Sequence, residues 1–139
     1  MKTEYTAATW PSDRWPNFSH NEMKCRHSNR CFLDAAAMDA LQEMRTATGK
    51  SMRITSGYRH STHPIEAAKV QPGAHYTGKA FDIAAAGYDA LLWMLEANSV
   101  GFTGFGVKQH GTGRFLHIDM IEAEDNFHAP RPALWSYPA

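Results

Sequence analysis

The chain has 139 residues, enough to bury one core and the size of a single domain. Its 14 lysines and arginines are balanced by 14 aspartates and glutamates, so no net field draws it to nucleic acid or to an anionic membrane, and neither is expected as a partner. No stretch is long and apolar enough to span a bilayer, and Met1 to Pro16 carry charges and prolines where a cleaved signal would carry an apolar run.

In chain order, residues 1–17 read as an extended arm with tryptophans at 10 and 15 and prolines at 11 and 16. Ser19-His20-Asn21-Glu22 has the serine-to-glutamate spacing of a capping box and opens a short helical turn. Cys25 to Cys31 is polar and reads as loop. Without a signal peptide the default for the two cysteines is free thiols. A disulfide formed after release, or a second zinc site with His20 or His27, are the alternatives. From Leu33 the pattern changes: Leu33, Ala37, Ala40, Leu41, Met44 and Ala47 recur at helical spacing, and Gly49 is the expected C-cap.

Met52 to Ser56 alternates and is rich in branched residues, so it reads as a strand. A loop from Gly57 to Pro64 follows, then a helical turn over Ile65 to Val70, with Pro72 closing the connection. Lys79 to Ala84 is the next strand, and Asp89 to Asn98 the second main helix, ended near Gly101. Gly101 to Gly106 reads as a glycine-rich lead into Val107-Lys108-Gln109, which a turn at Gly111-Thr112-Gly113 pairs with Arg114 to Met120 as a hairpin. Residues 128–139 hold three prolines and no periodicity, and are expected to lie along the surface as a tail. The sum is one α+β domain over 1–139: a small, mainly antiparallel sheet packed against two main helices.

The chemistry concentrates in two segments. His75 and Asp82 lie with six residues between them, divided by Gly78, which allows the backbone to turn before the strand that carries Asp82. Ala80 shares a face with Asp82 and leaves room beside it. His117 sits among Phe115, Leu116, Ile118 and Met120, where an imidazole costs free energy unless it is bonded or metal-bound. A lone histidine in an apolar strand is more often a satisfied core residue. A buried aspartate needs a partner more urgently, and the two together with His75 favour a metal. Two histidines and an aspartate suit a tetrahedral zinc ion with one position left for water. Asp119, two residues beyond His117, shares its face and could orient that ligand or accept a proton from the water. Arg59, in the loop after a strand, could hold a carboxylate with its planar fork.

Ser56-Gly57-Tyr58-Arg59, then His75-Tyr76-Thr77-Gly78-Lys79-Ala80-Phe81-Asp82, then Phe115-Leu116-His117-Ile118-Asp119 resemble the zinc D-alanyl-D-alanine carboxypeptidase family. That family shares its fold with the hedgehog signalling domain and several phage cell-wall endopeptidases. The resemblance covers roughly residues 18–121. It implies hydrolysis of peptide bonds in bacterial peptidoglycan, with His75, Asp82 and His117 as zinc ligands and Arg59 binding substrate or steadying the oxyanion. The pattern departs from the family twice. Gly73 stands where many members have serine, and Arg114 and Phe115 stand where members place an acidic base or a histidine. Asp119 and then His110 are the candidates for general base; His60 and His63 are left outside the metal set.

Three readings follow. The first is a monomeric zinc peptidase of phage endolysin type, held in the host cytoplasm until another protein opens the membrane. The second is a wall-binding module that keeps zinc for structure and performs no catalysis. The third is an α+β domain with core histidines and no metal. The bond cut is left open between D-alanyl-D-alanine, L-alanyl-D-glutamate and the diaminopimelate cross-link.

Overall fold

The longest helix shows its causes at both ends. In α2 (Ala35–Thr48) the Asp34 carboxylate accepts from the Ala37 amide, and Gly49 closes the helix at φ 64°. The short α1 (His20–Met23) opens on the expected capping box, with Ser19 and Glu22 each bonded to the other's backbone amide. The computed structural model describes residues 1–70, 73–125 and 129–139. Pro72 and His128, two positions named above, lie outside that set.

Two sheets form. β1 (Lys2–Glu4) and β2 (Phe32–Asp34) make an antiparallel pair. The main sheet contains β3 (Ile54–Ser56), β4 (Ala80–Ala84), β5 (Gly104–Lys108), β6 (Phe115–Asp119) and β7 (Ala133–Ser136), in the order β3-β4-β6-β5-β7. Its pairings are antiparallel except β5 with β7, which is parallel. Between these strands lie α3 (Pro64–Ala67), a 3-10 turn over Ala74–Thr77, and α4 (Tyr88–Ser99).

The pleat divides the main sheet into two chemistries. Phe81, Ile83, Phe105, Leu116 and Ile118 join Met38, Leu41 and Met44 of α2 and Trp93 and Ala97 of α4 in one buried core. The opposite face carries Asp82, His117 and Asp119. Trp15 is fully buried in the same core and donates to Asp39 at 2.9 Å, so the N-terminal residues take part in the packing.

Two expectations change. Gly104 to Gly106 is not a connection but the first half of β5, its glycines leaving space for side chains on the neighbouring strands. The C-terminal tail is not a surface strap but an edge strand, because Trp135 and Tyr137 share the sheet-facing side while Leu134 and Ser136 face solvent. Both the α+β class and the mainly antiparallel sheet against two main helices stand as read.

Candidate metal centre

The centre is built on a row that crosses the sheet. Asp82 on β4 is paired with His117 on β6, His117 with Gly106 on β5, and Gly106 with Trp135 on β7. Directly paired residues put their side chains on one face, so strand register alone sets Asp82 beside His117. The row below holds Ala80, Asp119, Gly104 and Ala133, whose small residues make room for the large ones. A Cβ on Gly106 would meet the Trp135 indole Nε1 at 2.5 Å, and one on Gly104 would run into Asp119 and Arg131.

His75 reaches the row from the 3-10 turn. Gly78 ends that turn at φ 75°, and a Cβ there would meet the Phe32 carbonyl oxygen at 2.8 Å, so both conformation and space call for glycine. The His75 Nδ1–H donates to the Gly57 carbonyl at 2.8 Å, which fixes the tautomer and leaves Nε2 facing Asp82 Oδ1 at 3.3 Å. His117 Nδ1 lies 3.0 Å from the same oxygen. Ligand atoms of a tetrahedral zinc with bonds near 2.05 Å lie about 3.3 Å apart. The three donors therefore fit such an ion. Among the described residues, His75, Asp82 and His117 are the group of three or more histidine, cysteine or acidic side chains close enough to hold a metal.

Asp119 stands behind His117. Its Oδ2 accepts from His117 Nε2 at 2.8 Å, and Arg131 donates to Oδ1 at 2.7 Å and Oδ2 at 2.8 Å. A carboxylate only accepts, so Nε2 carries the proton and Nδ1 is the nitrogen directed to the metal position. Both Asp119 oxygens are engaged and the residue is wholly buried. That placement matches an orienting partner for His117 and not a proton acceptor on the metal's open side.

The electrostatics follow from this packing. Burial alone would raise the Asp82 carboxyl, but the His75 and His117 imidazoles outweigh it and hold it well below the usual carboxylate range. Burial alone would lower His117, but Asp119 and Asp82 raise it. Asp119 is held at about 2, because Arg131 and His117 overcome the effect of burial.

The three donors line a cleft of about 680 Å³ together with Arg59, Phe115, Trp135 and Tyr137. A larger cavity of about 920 Å³, lined by Ala40, Val100, Ile121 and Pro130, contains none of the three donors. Arg59 lines the cleft: its amide donates to the His75 carbonyl at 3.2 Å, and its Nη2 lies 3.9 Å from Asp82 Oδ2. His110 does not. It lies in the β5–β6 hairpin beyond the last paired residues, Lys108 and Phe115, outside the cleft lining. Cys25 and Cys31 are free and buried, and burial pushes the Cys31 thiol up to about 12.

Gly73 has a local explanation. Its amide donates to the buried Glu66 at 2.8 Å, and Lys69 pairs with the same carboxylate at 2.8 Å. A Cβ at position 73 would press on Lys69 and approach Glu66 Oε1 at 3.0 Å, so this pair occupies the space a serine side chain would need. Sequence reasoning missed Arg131, Trp135 and Tyr137. The alternation of Ala133, Trp135 and Tyr137 was a strand signal, masked by the flanking prolines.

Residues 16–119 match the family model for Peptidase M15. No curated protein matches the chain. The matched span takes in Arg59, His75, Asp82 and His117 with β2 to β6, and stops before the segment that supplies Arg131, Trp135 and Tyr137. With most of its length inside that span, the chain belongs to the Peptidase M15 family.

Proposed function

We propose that this protein is a zinc metallopeptidase that hydrolyses peptide bonds in bacterial peptidoglycan stem peptides or cross-links. The observation that carries the reading is the convergence of His75 Nε2, Asp82 Oδ1 and His117 Nδ1 at zinc-ligand spacing inside a cleft of ligand-binding size. His75, Asp82 and His117 hold the ion. Zinc bound there supplies a water with its pKa lowered toward about 7 and a Lewis acid for the scissile carbonyl.

The chain's own groups do the rest. The Gly57 carbonyl and the Asp119 carboxylate each hold one imidazole in the tautomer that ligates. Arg131 keeps Asp119 charged. Arg59, with its guanidinium at the cleft and only a long contact to Asp82, binds a substrate carboxylate or steadies the developing oxyanion. Trp135, Phe115 and Tyr137 form an apolar wall that excludes water from one side. The chain works as a monomer with one domain, in cell-wall lysis of the endolysin type.

One observation favours a second reading, a zinc-containing wall-binding module without catalysis. Among the described residues lining the cleft, Asp82 is the one carboxylate, and it is already a ligand. Digestion of purified sacculi by the zinc-loaded protein, followed by mass spectrometry of the soluble fraction, separates the two and identifies the bond. Release of muropeptides, lost with chelator, restored by zinc and absent in His75→Ala, is expected. Wall binding without soluble product selects the module, and full activity in His75→Ala overturns the metal assignment.

A further inference from the structure

We propose that the cleft continues past Arg59 into a second, cationic subsite that takes a carboxylate of the substrate remote from the scissile bond. The identity of the ligand rests on the peptidase reading above; the subsite rests on its own geometry. On the far side of Arg59 lies a cavity of about 200 Å³, whose lining includes Lys24, Arg26, Ser56, Tyr58 and His63. Arg59 lines both this cavity and the metal cleft, so the two share its side chain as a wall.

Among the described residues the lining contains no acidic side chain. Lys24 and Arg26 make no ion pair with their side chains among the described residues. Composition does not force this concentration, since the chain has equal numbers of acidic and basic residues. The fold brings the cations together: the Tyr58 amide donates to the Met23 carbonyl at 2.9 Å, tying the end of α1 to the exit of β3. Lys24 follows directly, and the buried Cys25 anchors the loop that carries Arg26. His63 completes the lining; its pKa is lowered first by burial and then by the charges of Arg59 and His27, against the opposing charge of Glu66. A site with two unneutralised cations beside a third suits an anion with planar oxygens, and the Ser56 hydroxyl and Tyr58 add polar lining. Peptidoglycan stem peptides offer such a group, the free α-carboxylate of their γ-linked glutamate, close in sequence to the bonds a peptidase of this kind would cut.

The test uses the zinc-loaded, isotope-labelled full chain and two synthetic stem pentapeptides, one with that glutamate carboxylate free and one with it amidated. An NMR titration reads binding from amide shifts and cleavage from new peptide resonances in the same sample. The peptidase reading therefore fails separately, by the absence of new resonances. The free acid is expected to bind about fivefold more tightly than the amide, as two partly exposed charge pairs allow, with shifts at residues 24–26 and 63. K24A/R26A brings the ratio to about one, and K24E/R26E inverts it. Equal affinity of the native chain for the two peptides, no binding of either, or a preference that survives both double variants overturns the proposal.

Discussion

Asp119→Asn separates two roles that a carboxylate beside a metal ligand can play. Asp119 accepts three charge-assisted hydrogen bonds, from His117 Nε2 at 2.8 Å and from Arg131 at 2.7 and 2.8 Å. Asparagine has the same shape but one acceptor oxygen. If its amide group faces Arg131, donor meets donor and the guanidinium loses the charge of Asp119. If it faces His117, Nε2 must accept, the proton moves to Nδ1, and the ligating nitrogen is blocked. Breaking a buried pair from one side costs about 3–5 kcal/mol, and the retained oxygen puts this substitution near 3. Losing the outer partner of a metal-ligating histidine weakens metal binding about 10–100-fold. Melting of the zinc-free protein is expected to fall on the order of 10 °C. Competition against a chromogenic chelator should show the zinc loss directly. A variant that keeps its melting point and its zinc affinity within about twofold, yet loses turnover, refutes this reasoning and makes Asp119 the proton acceptor.

Three further outcomes follow from the packing. Gly106→Ala places a methyl where the Trp135 indole lies, 2.5 Å from Nε1, so it should shift the tryptophan fluorescence as the indole is pushed from the sheet, and cost about 1–3 kcal/mol in denaturant unfolding. Trp15→Ala removes a fully buried ring and its bond to Asp39, and should cost about 3–5 kcal/mol; a smaller loss would mean that the N-terminal residues are not part of the cooperative core. In the zinc-free protein Asp119 is depressed from 3.8 to about 2, so its stabilisation is present above about pH 4 and fades as the pH falls through about 2. That contribution is roughly 2 kcal/mol. Acid titrations of stability should show a decline smaller by about that amount in Asp119→Asn than in the native chain, the depressed Asp82 contributing to both.

Much of the architecture is legible locally. The capping box at Ser19, the Asp34 cap and Gly49 are interactions between near neighbours, so α1 and α2 can be read from spacing. The same holds for the three side chains that could hold a metal. Alternation puts Asp82 and His117 on strands that otherwise bury apolar residues, and Gly78 marks the turn that releases His75.

The partners of those donors come from far along the chain, and pattern cannot supply them. Asp119 looked free to act as a base because Arg131, which occupies both its oxygens, arrives between two prolines on the segment leading into β7, a strand paired in parallel with β5. Gly104 and Gly106 read only as part of a glycine-rich lead for the same reason: what they accommodate, Asp119 with Arg131 and Trp135, belongs to other segments. The cations around Arg59 likewise meet only because the end of α1 bonds to the residue before it. The sequence by itself determined which residues are chemically capable of holding a metal, since that depends on residue type and strand periodicity. Tertiary structure decided the tautomer, the buttress and the cleft wall, since each is a contact between segments whose separation along the chain carries no periodic signal.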